Sequence, residues 1–416
     1  MNKQLQKYLK TRAITFPWQV SGTSRIGFTA AIIIPALAER ESLPATLDSL
    51  CSNPAEYLTQ TLVVIVVNNR ADISADILID NQNTIDWLWS NPYPQLNLVW
   101  VDASSSGLEL PAQDGVGLAR KIGFDTSLPL LNWEVDPWLI SLDADTLVDQ
   151  NYLPTIFDHF ALSNSGAVVI PFRHQPVPSP RQEIAIRHYE LYLRSYLFGL
   201  QRADSPYAYH SIGSAFACRA ETYVKAGGMN RRCGGEDFYF LQQLTKISGI
   251  EMVRGTVVRP SPRFSSRVPF GTGKAVQIQV EEGIAQFHFV PVGGFQILKE
   301  WFDLISCQLE LPADQVSQQA LNISPVLHGF LTELNFNQIW EKLRNNHSSG
   351  QQRLAAFHCW FDALRTRQML TRIERGSTSS AKDIIAELLS WGGYAGIMKE
   401  ADQLALLEQL QGCDNL

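Results

Sequence analysis

Between about Phe28 and Ser248, short runs of consecutive apolar residues alternate with stretches whose apolar positions recur every three or four residues. The first run, Ala30–Ala36 (AAIIIPA), predicts a buried strand: it is short, branched and stopped by Pro35. Glu41–Cys51 then carries Leu43, Leu47 and Leu50 at helical spacing. The run TLVVIVVNN, ending at Asn68 and Asn69, predicts a second strand. Its unbroken apolar character is that of a parallel sheet covered on both faces. Asp76–Ser90 predicts a helix and NLVWVDA a third strand, followed by a helix from Gly115 to Asp125. PWLISLDAD predicts a fourth strand ending in acids, and GAVVIPF a fifth. Helices follow over Arg181–Leu200 and Glu236–Ser248. This β-α-β-α order implies an α/β domain with a mostly parallel central sheet, in which ligands bind beyond the carboxyl ends of the strands.

From about Gln296 the strand signals stop and helical periodicity takes over. Phe357, Trp360, Phe361 and Leu364 form one apolar stripe, and Ile384, Ile385, Leu388 and Leu389 another. Three segments follow: an arm over 1–28 with one short helix, the α/β domain over 29–295, and an all-helical region over 296–416. The helical stripes suit an internal core, or the face of a homodimer or partner.

The chain has 416 residues, 45% apolar and 18% charged, which fits a core-forming protein of two or three units. A net charge of −7 disfavours general nucleic-acid binding and leaves no polybasic surface for anionic lipid. No apolar run approaches the ~18 residues that span a bilayer, and MNKQLQKYLKTRAITF lacks the apolar core of a secretory signal. A cytoplasmic protein is expected, with peripheral membrane attachment left open. Cys51, Cys218, Cys233, Cys307, Cys359 and Cys413 include no CxxC pair, so they read as reduced thiols rather than a zinc site or disulfide framework.

Polar residues gather at the predicted strand ends: Glu39 after the first, Asn68 and Asn69 after the second, Asp143 and Asp145 after the fourth. Two carboxylates two residues apart can reach one hard cation, Mg²⁺ or Mn²⁺, and such an ion offsets charge on a departing diphosphate. A solvated strand end would look the same. Glu236 and Asp237 open a helix, where an acid serves as a general base or simply complements the helix dipole. Gly213 and Ser214 permit close approach of backbone and substrate, or merely begin a strand. Asp114–Arg120 places Gly115 and Gly117 before a helix, with Arg120 one turn inside. The helix start favours anions and Arg120 suits phosphate or a base edge. This is neither GxGxxG nor a Walker A loop. Arg259, Arg263, Arg267 and Lys274 lie among Ser, Pro and Gly, as in an anion-binding or plain solvated loop.

Taken in order, these segments resemble glycosyltransferase family 2 and its GT-A fold. Ile33-Ile34-Pro35-Ala36 through Glu39 is similar to the family's opening strand and turn. Asn68-Asn69 matches the polar end of the second strand, Gly117–Gly123 the Gly-Lys-Gly-x-Ala-Arg-Asn-x-Gly segment, Asp143-Ala144-Asp145 the DxD motif, and Gly235-Glu236-Asp237 the ED motif. The resemblance covers about residues 29–275. It implies a hexosyl transferase using a nucleotide-sugar donor, UDP- or GDP-linked, with an unidentified acceptor and Mg²⁺ or Mn²⁺. Ala36, Glu39 and Asn68 would line the nucleoside pocket, with Gly117 and Arg120 near the base or diphosphate. Asp143 would face ribose or metal, Asp145 would bind the metal, Asp237 would be the base, and Glu236 would assist at the acceptor. His288 would be a further metal ligand or a packed histidine between Phe287 and Phe289. Gly213, Ser214, Arg263 and Arg267 would border the acceptor or phosphate. The sequence departs from the family at Leu37-Ala38, where Tyr-Asn is frequent, and at Asn68-Asn69-Arg70, where an Asp is frequent. Two other readings share these features: nucleotidyl transfer, which would favour a glycine-rich basic loop after the first strand, and a non-catalytic nucleotide-sugar binder.

Overall fold

The computed structural model describes residues 3–14, 16–23, 25–264, 271–282, 287–374 and 379–413. Two compact units are present. One comprises Met1–Ile186, Ser211–Gly283 and Gly412–Leu416; the other comprises Arg187–His210 and Ile284–Gln411.

Among the described residues the first unit is built on ten strands: β1 (Val20–Ser21), β2 (Ala30–Ala36), β3 (Thr61–Asn68), β4 (Asn97–Ala103), β5 (Trp138–Ser141), β6 (Leu147–Val148), β7 (Ala167–Val169), β8 (Phe216–Arg219), β9 (Glu251–Met252) and β10 (Val258–Arg259). Eight form one sheet in the order β1-β4-β3-β2-β5-β8-β7-β9, and β6 pairs with β10. Strands β4, β3, β2 and β5 are mutually parallel, whereas β8 runs antiparallel to both β5 and β7. The mostly parallel α/β sheet expected from the sequence is therefore present. Every residue of β2 and β3 is buried, the physical basis of their unbroken apolar runs. The GAVVIPF run supplies only three strand residues, because Pro171 ends the ladder.

The helix Val116–Ser127 crosses β2 and β3 at close range. A Cβ on Gly123 would stand 2.6 Å from Ile33 Cγ2 and 3.0 Å from Val66 Cγ2, so only glycine permits this approach. On its other side the helix is tied to the amino-terminal helix Lys3–Thr11. Tyr8 donates its hydroxyl to Asp125 Oδ1 at 2.7 Å, and Tyr223 donates to the same oxygen at 2.8 Å. Asp125 Oδ2 accepts from the Ile14 backbone N–H at 2.8 Å and pairs with Lys121 Nζ at 2.9 Å. Asp125 has no solvent exposure. The Tyr8 hydroxyl and Lys121 ammonium take the space that a side chain on Gly228 would fill.

The second unit is helical, as expected from Gln296 onward. Its core gathers Leu298, Trp301, Phe330, Phe336, Trp340 and Phe357. Ile384, Ile385, Leu388 and Leu389 are buried in that same core. The Phe357–Leu364 stripe is not one helix. Gly350–Trp360 ends at Phe361, and Ala363–Glu374 begins after Asp362, whose Oδ1 accepts from Arg365 N at 3.3 Å. Phe357 and Phe361 remain fully buried, with stacked rings. No helix among the described residues is long and apolar enough to cross a membrane.

Removing Asp125 takes the counter-ion from the buried Lys121 ammonium and the acceptor from two tyrosine hydroxyls. Asp125→Ala is expected to cost about 3–5 kcal/mol, the range for breaking a buried ion pair from one side. Urea denaturation followed by tryptophan fluorescence measures it; a loss below about 1 kcal/mol would contradict the assignment.

Candidate active site

The carboxyl ends of β2, β3 and β5 lie side by side, and the turns leaving them carry the candidate residues. After β2 the chain turns through Ala38, which holds a left-handed backbone with φ of 51°. Its N–H donates to Asn81 Oδ1 at 2.9 Å, and Asn81 Nδ2 donates to Asn69 Oδ1 at 2.7 Å and to the Asn68 carbonyl at 3.1 Å. Asn68 Nδ2 donates to the Ala36 carbonyl at 3.1 Å. Three buried amides thus fix the turn that delivers Glu39. Asn68, expected at the nucleoside pocket, directs its amide at backbone, and Ala36 is buried beside it. Asn81 was missed from sequence: a polar residue within a helix gives no sign that it will be buried.

After β5 a turn closes through Thr146 N donating to the Asp143 carbonyl at 3.2 Å. Thr46 Oγ1 anchors it by donating to the Ala144 carbonyl at 2.9 Å, and Gln175 Nε2 donates to the Asp145 carbonyl at 2.9 Å. Asp143 and Asp145 are both partly exposed on this turn.

Arg120 connects this turn to the Glu236–Ser248 helix. Its side chain is 2% exposed. Nη2 pairs with Asp143 Oδ1, Nη1 donates to Ser141 Oγ at 2.6 Å, and Nε donates to Glu236 Oε1 at 3.2 Å. Ser141 in turn donates to the Gly213 carbonyl at 2.7 Å. A Cβ on Gly213 would overlap the Arg120 guanidinium, so glycine is required for the guanidinium to pass. Burial alone would lower the Arg120 pKa, but Asp143, Glu236 and Asp237 outweigh it and hold the guanidinium above its ordinary value. The residue expected beside a base or diphosphate therefore addresses carboxylates instead.

Gly117 serves packing. Its N–H donates to the Arg232 carbonyl at 3.1 Å, and a Cβ would stand 2.6 Å from that oxygen. This contact seats the loop leading to Glu236 on the start of the Val116–Ser127 helix. Gly235 follows with φ of 66°, and Asn230 Nδ2 donates to the Glu236 carbonyl at 2.7 Å. Glu236 is buried, while Asp237 stays partly exposed with Oδ1 accepting from the Phe238 N–H at 2.7 Å. Burial first, then the neighbouring Glu236 carboxylate, raises the Asp237 pKa from 3.8 to about 7. The Phe238 N–H and Arg120 oppose the rise, and Asp143 adds to it.

Arg263 forms a second bridge. Its Nη2 pairs with Glu39 Oε1, its Nε with Asp145 Oδ2 at 2.8 Å, and its Nη1 donates to Ser42 Oγ at 3.3 Å. Its loop is held by Gln175 Nε2 donating to the Arg259 carbonyl at 2.8 Å and by Gln182 Nε2 donating to the Pro262 carbonyl at 2.8 Å. Ser214 is fully buried and does not present its hydroxyl to solvent. Arg267 lies outside the described residues. His288 is exposed and belongs to the helical unit. Among the described residues no three His, Cys, Asp or Glu converge to hold a metal ion. The carboxylates of Glu39, Asp143, Asp145 and Glu236 thus pair with two guanidiniums, Arg120 and Arg263, and Asp237 adds its electrostatic attraction to Arg120.

No family model matches the sequence, and no curated protein matches it. Among solved structures, S. aureus TarS 1–349 aligns with a TM-score of 0.40 and 13% identity, covering 77% of this chain and 92% of that one. The same protein in complex with UDP-GlcNAc gives 0.39 and 12% over 92% of this chain and 91% of that one. The mannosyltransferase PcManGT from Pyrobaculum calidifontis, in complex with GDP-Man and Mn²⁺, gives 0.36 and 14% over 99% and 94%.

The raised Asp237 pKa sets a stability expectation. Unfolded, the carboxyl ionises near 3.8; folded, near 7. Between those values the folded state holds a proton that the unfolded state has released, so stability falls as pH rises across that window. Asp237→Asn is expected to stabilise the protein, and by more at pH 8 than at pH 5. Melting temperatures at the two pH values test it; an equal shift at both would contradict it.

Proposed function

We propose that this chain is a GT-A-type glycosyltransferase. It moves a hexosyl group from a nucleoside-diphosphate sugar, UDP- or GDP-linked, to an acceptor hydroxyl by a single displacement with inversion. The observation that carries the reading is the Arg120 bridge: it joins the Asp143-Ala144-Asp145 strand end to the Glu236-Asp237 helix start, two motifs more than 90 positions apart in the chain.

Asp237 has the character of the base. A group that ionises near 7 is half deprotonated at neutral pH and still basic enough to accept a proton in the transition state. It takes the proton of the acceptor hydroxyl as that oxygen bonds to the anomeric carbon and the bond to the nucleoside diphosphate breaks. Glu236 is held by Arg120 beside Asp237, and its carboxylate contributes to the raised basicity of Asp237. Glu39 and the Ala36–Ala38 turn border the nucleoside, on a backbone fixed by Asn68 and Asn81.

The residues fit a divalent ion. Asp143 and Asp145 offer hard oxygens on one rigid turn, and Mg²⁺ is ordinarily held by one or two carboxylates together with substrate phosphates rather than by an all-protein cage. Charge points the same way: five carboxylates against two guanidiniums leave a formally acidic site facing an anionic donor. When bound there, Mg²⁺ or Mn²⁺ would supply neutralisation of the leaving diphosphate.

Incubation with a panel of UDP- and GDP-sugars and Mn²⁺ or Mg²⁺ tests the proposal, with donor consumption and melting temperature as readouts. The true donor raises the melting temperature in proportion to RT ln(1 + [L]/Kd). No shift and no donor consumption across the panel would overturn it. Asp145→Ala and Asp237→Asn are each expected to lower turnover at least ~10²-fold; near-normal turnover removes that residue from the mechanism. The wild-type kcat/KM is expected to fall about tenfold per pH unit below pH ~7, as the base takes up its proton. A flat profile down to pH 5 would exclude Asp237 as the base.

A further inference from the structure

Arg263 stands where the cation is needed. Its guanidinium spans Glu39, after β2, and Asp145, after β5, with Nε on Asp145 Oδ2. Glu39 is almost fully buried, whereas Asp145 and Arg263 are partly exposed. The Glu39 contact is thus the sheltered end of the bridge and the Asp145 contact the exposed end. An exposed ion pair is worth little and exchanges easily, while a desolvated one is held. Ser42 Oγ lies within reach of Nη1 on the Glu39 side and gives that end a further acceptor. The loop behind Arg263 is pinned at Arg259 and Pro262 by Gln175 and Gln182, so release at Asp145 requires only the side chain to turn.

We infer that Arg263 and a divalent cation compete for Asp145, so that cation and donor load as a coupled pair. With neither ligand bound, Arg263 neutralises Asp145. Arrival of the diphosphate offers the guanidinium a bidentate anion, for which Arg is well shaped, and withdraws its positive charge from Asp145, which favours the cation there. Each ligand therefore raises the affinity for the other through one side chain, in addition to direct cation–phosphate contact. The coupling must be equal in both directions. This rests on the proposed donor and cation site.

Mn²⁺ binding measured by electron paramagnetic resonance, with and without UDP or GDP, tests it on the full chain. Wild type, Arg263→Ala, Arg263→Lys and Asp145→Asn are compared. Arg263→Ala is expected to bind Mn²⁺ alone about tenfold more tightly than wild type, and the enhancement of Mn²⁺ affinity by nucleotide to shrink by the same factor. Arg263→Lys, which keeps the charge but cannot span Glu39 and Asp145 together, is expected to bind Mn²⁺ alone more tightly than wild type and less tightly than Arg263→Ala; an affinity outside that interval counts against the competition. Asp145→Asn is expected to bind Mn²⁺ weakly in every condition. Mn²⁺ affinity unchanged by Arg263→Ala, with Asp145→Asn still defective, overturns the competition alone. Mn²⁺ binding that is absent from wild type even with nucleotide, or untouched by Asp145→Asn, overturns the site assignment beneath it.

Discussion

A buried guanidinium among carboxylates is the constraint on which the site depends. Arg120 is almost wholly removed from water, which by itself opposes its charge. It stays ionised because Asp143, Glu236 and Asp237 supply more attraction than burial removes. At an effective dielectric near 20, one unit pair at 4 Å contributes about 4 kcal/mol. The converse holds for the acids. Without Arg120, Asp143 and the buried Glu236 would lose the guanidinium that pairs with both and ties the strand end to the helix start. The sheet, the Val116–Ser127 helix and the loop before Glu236 all converge to place this one side chain.

Glycines make that convergence sterically possible, each by a different close approach. Gly123 lets the Arg120 helix rest on β2 and β3, Gly117 lets the Asn230–Arg232 backbone rest on the helix, and Gly213 leaves room for the guanidinium itself. The two arginines then divide the acids between them. Arg120 holds Asp143 and Glu236 permanently from the buried side, and Arg263 meets Glu39 and Asp145 from the solvent side.

The legible parts of the sequence were those with a one-dimensional signature. Continuous apolar runs marked β2 and β3 because both faces of those strands are covered. The acids of 143, 145, 236 and 237 stood out as pairs at element ends. Arg120 was singled out from the same pattern, but not its partners, since nothing in a local window shows that a cation will be buried between two distant acids. Ser141, Asn81 and Gln175 were invisible for the same reason: each is an ordinary polar residue whose importance comes from long-range hydrogen bonds. Short elements such as β6, β9 and β10 leave no periodicity to detect. The 357–364 stripe misled because apolar spacing continued across a helix break that only the Asp362 cap announces.

The Tyr8–Asp125 hydrogen bond joins residues 117 positions apart, and its second tyrosine, Tyr223, is later still. On the ribosome, at roughly 5–20 residues per second, the Lys3–Thr11 helix is therefore complete several seconds before Asp125 and Tyr223 exist. Leu5 and Tyr8 on that helix are both buried in the finished protein. The Lys3–Thr11 helix is thus translated well ahead of the partners that fix it, and its docking waits for Asp125 and Tyr223.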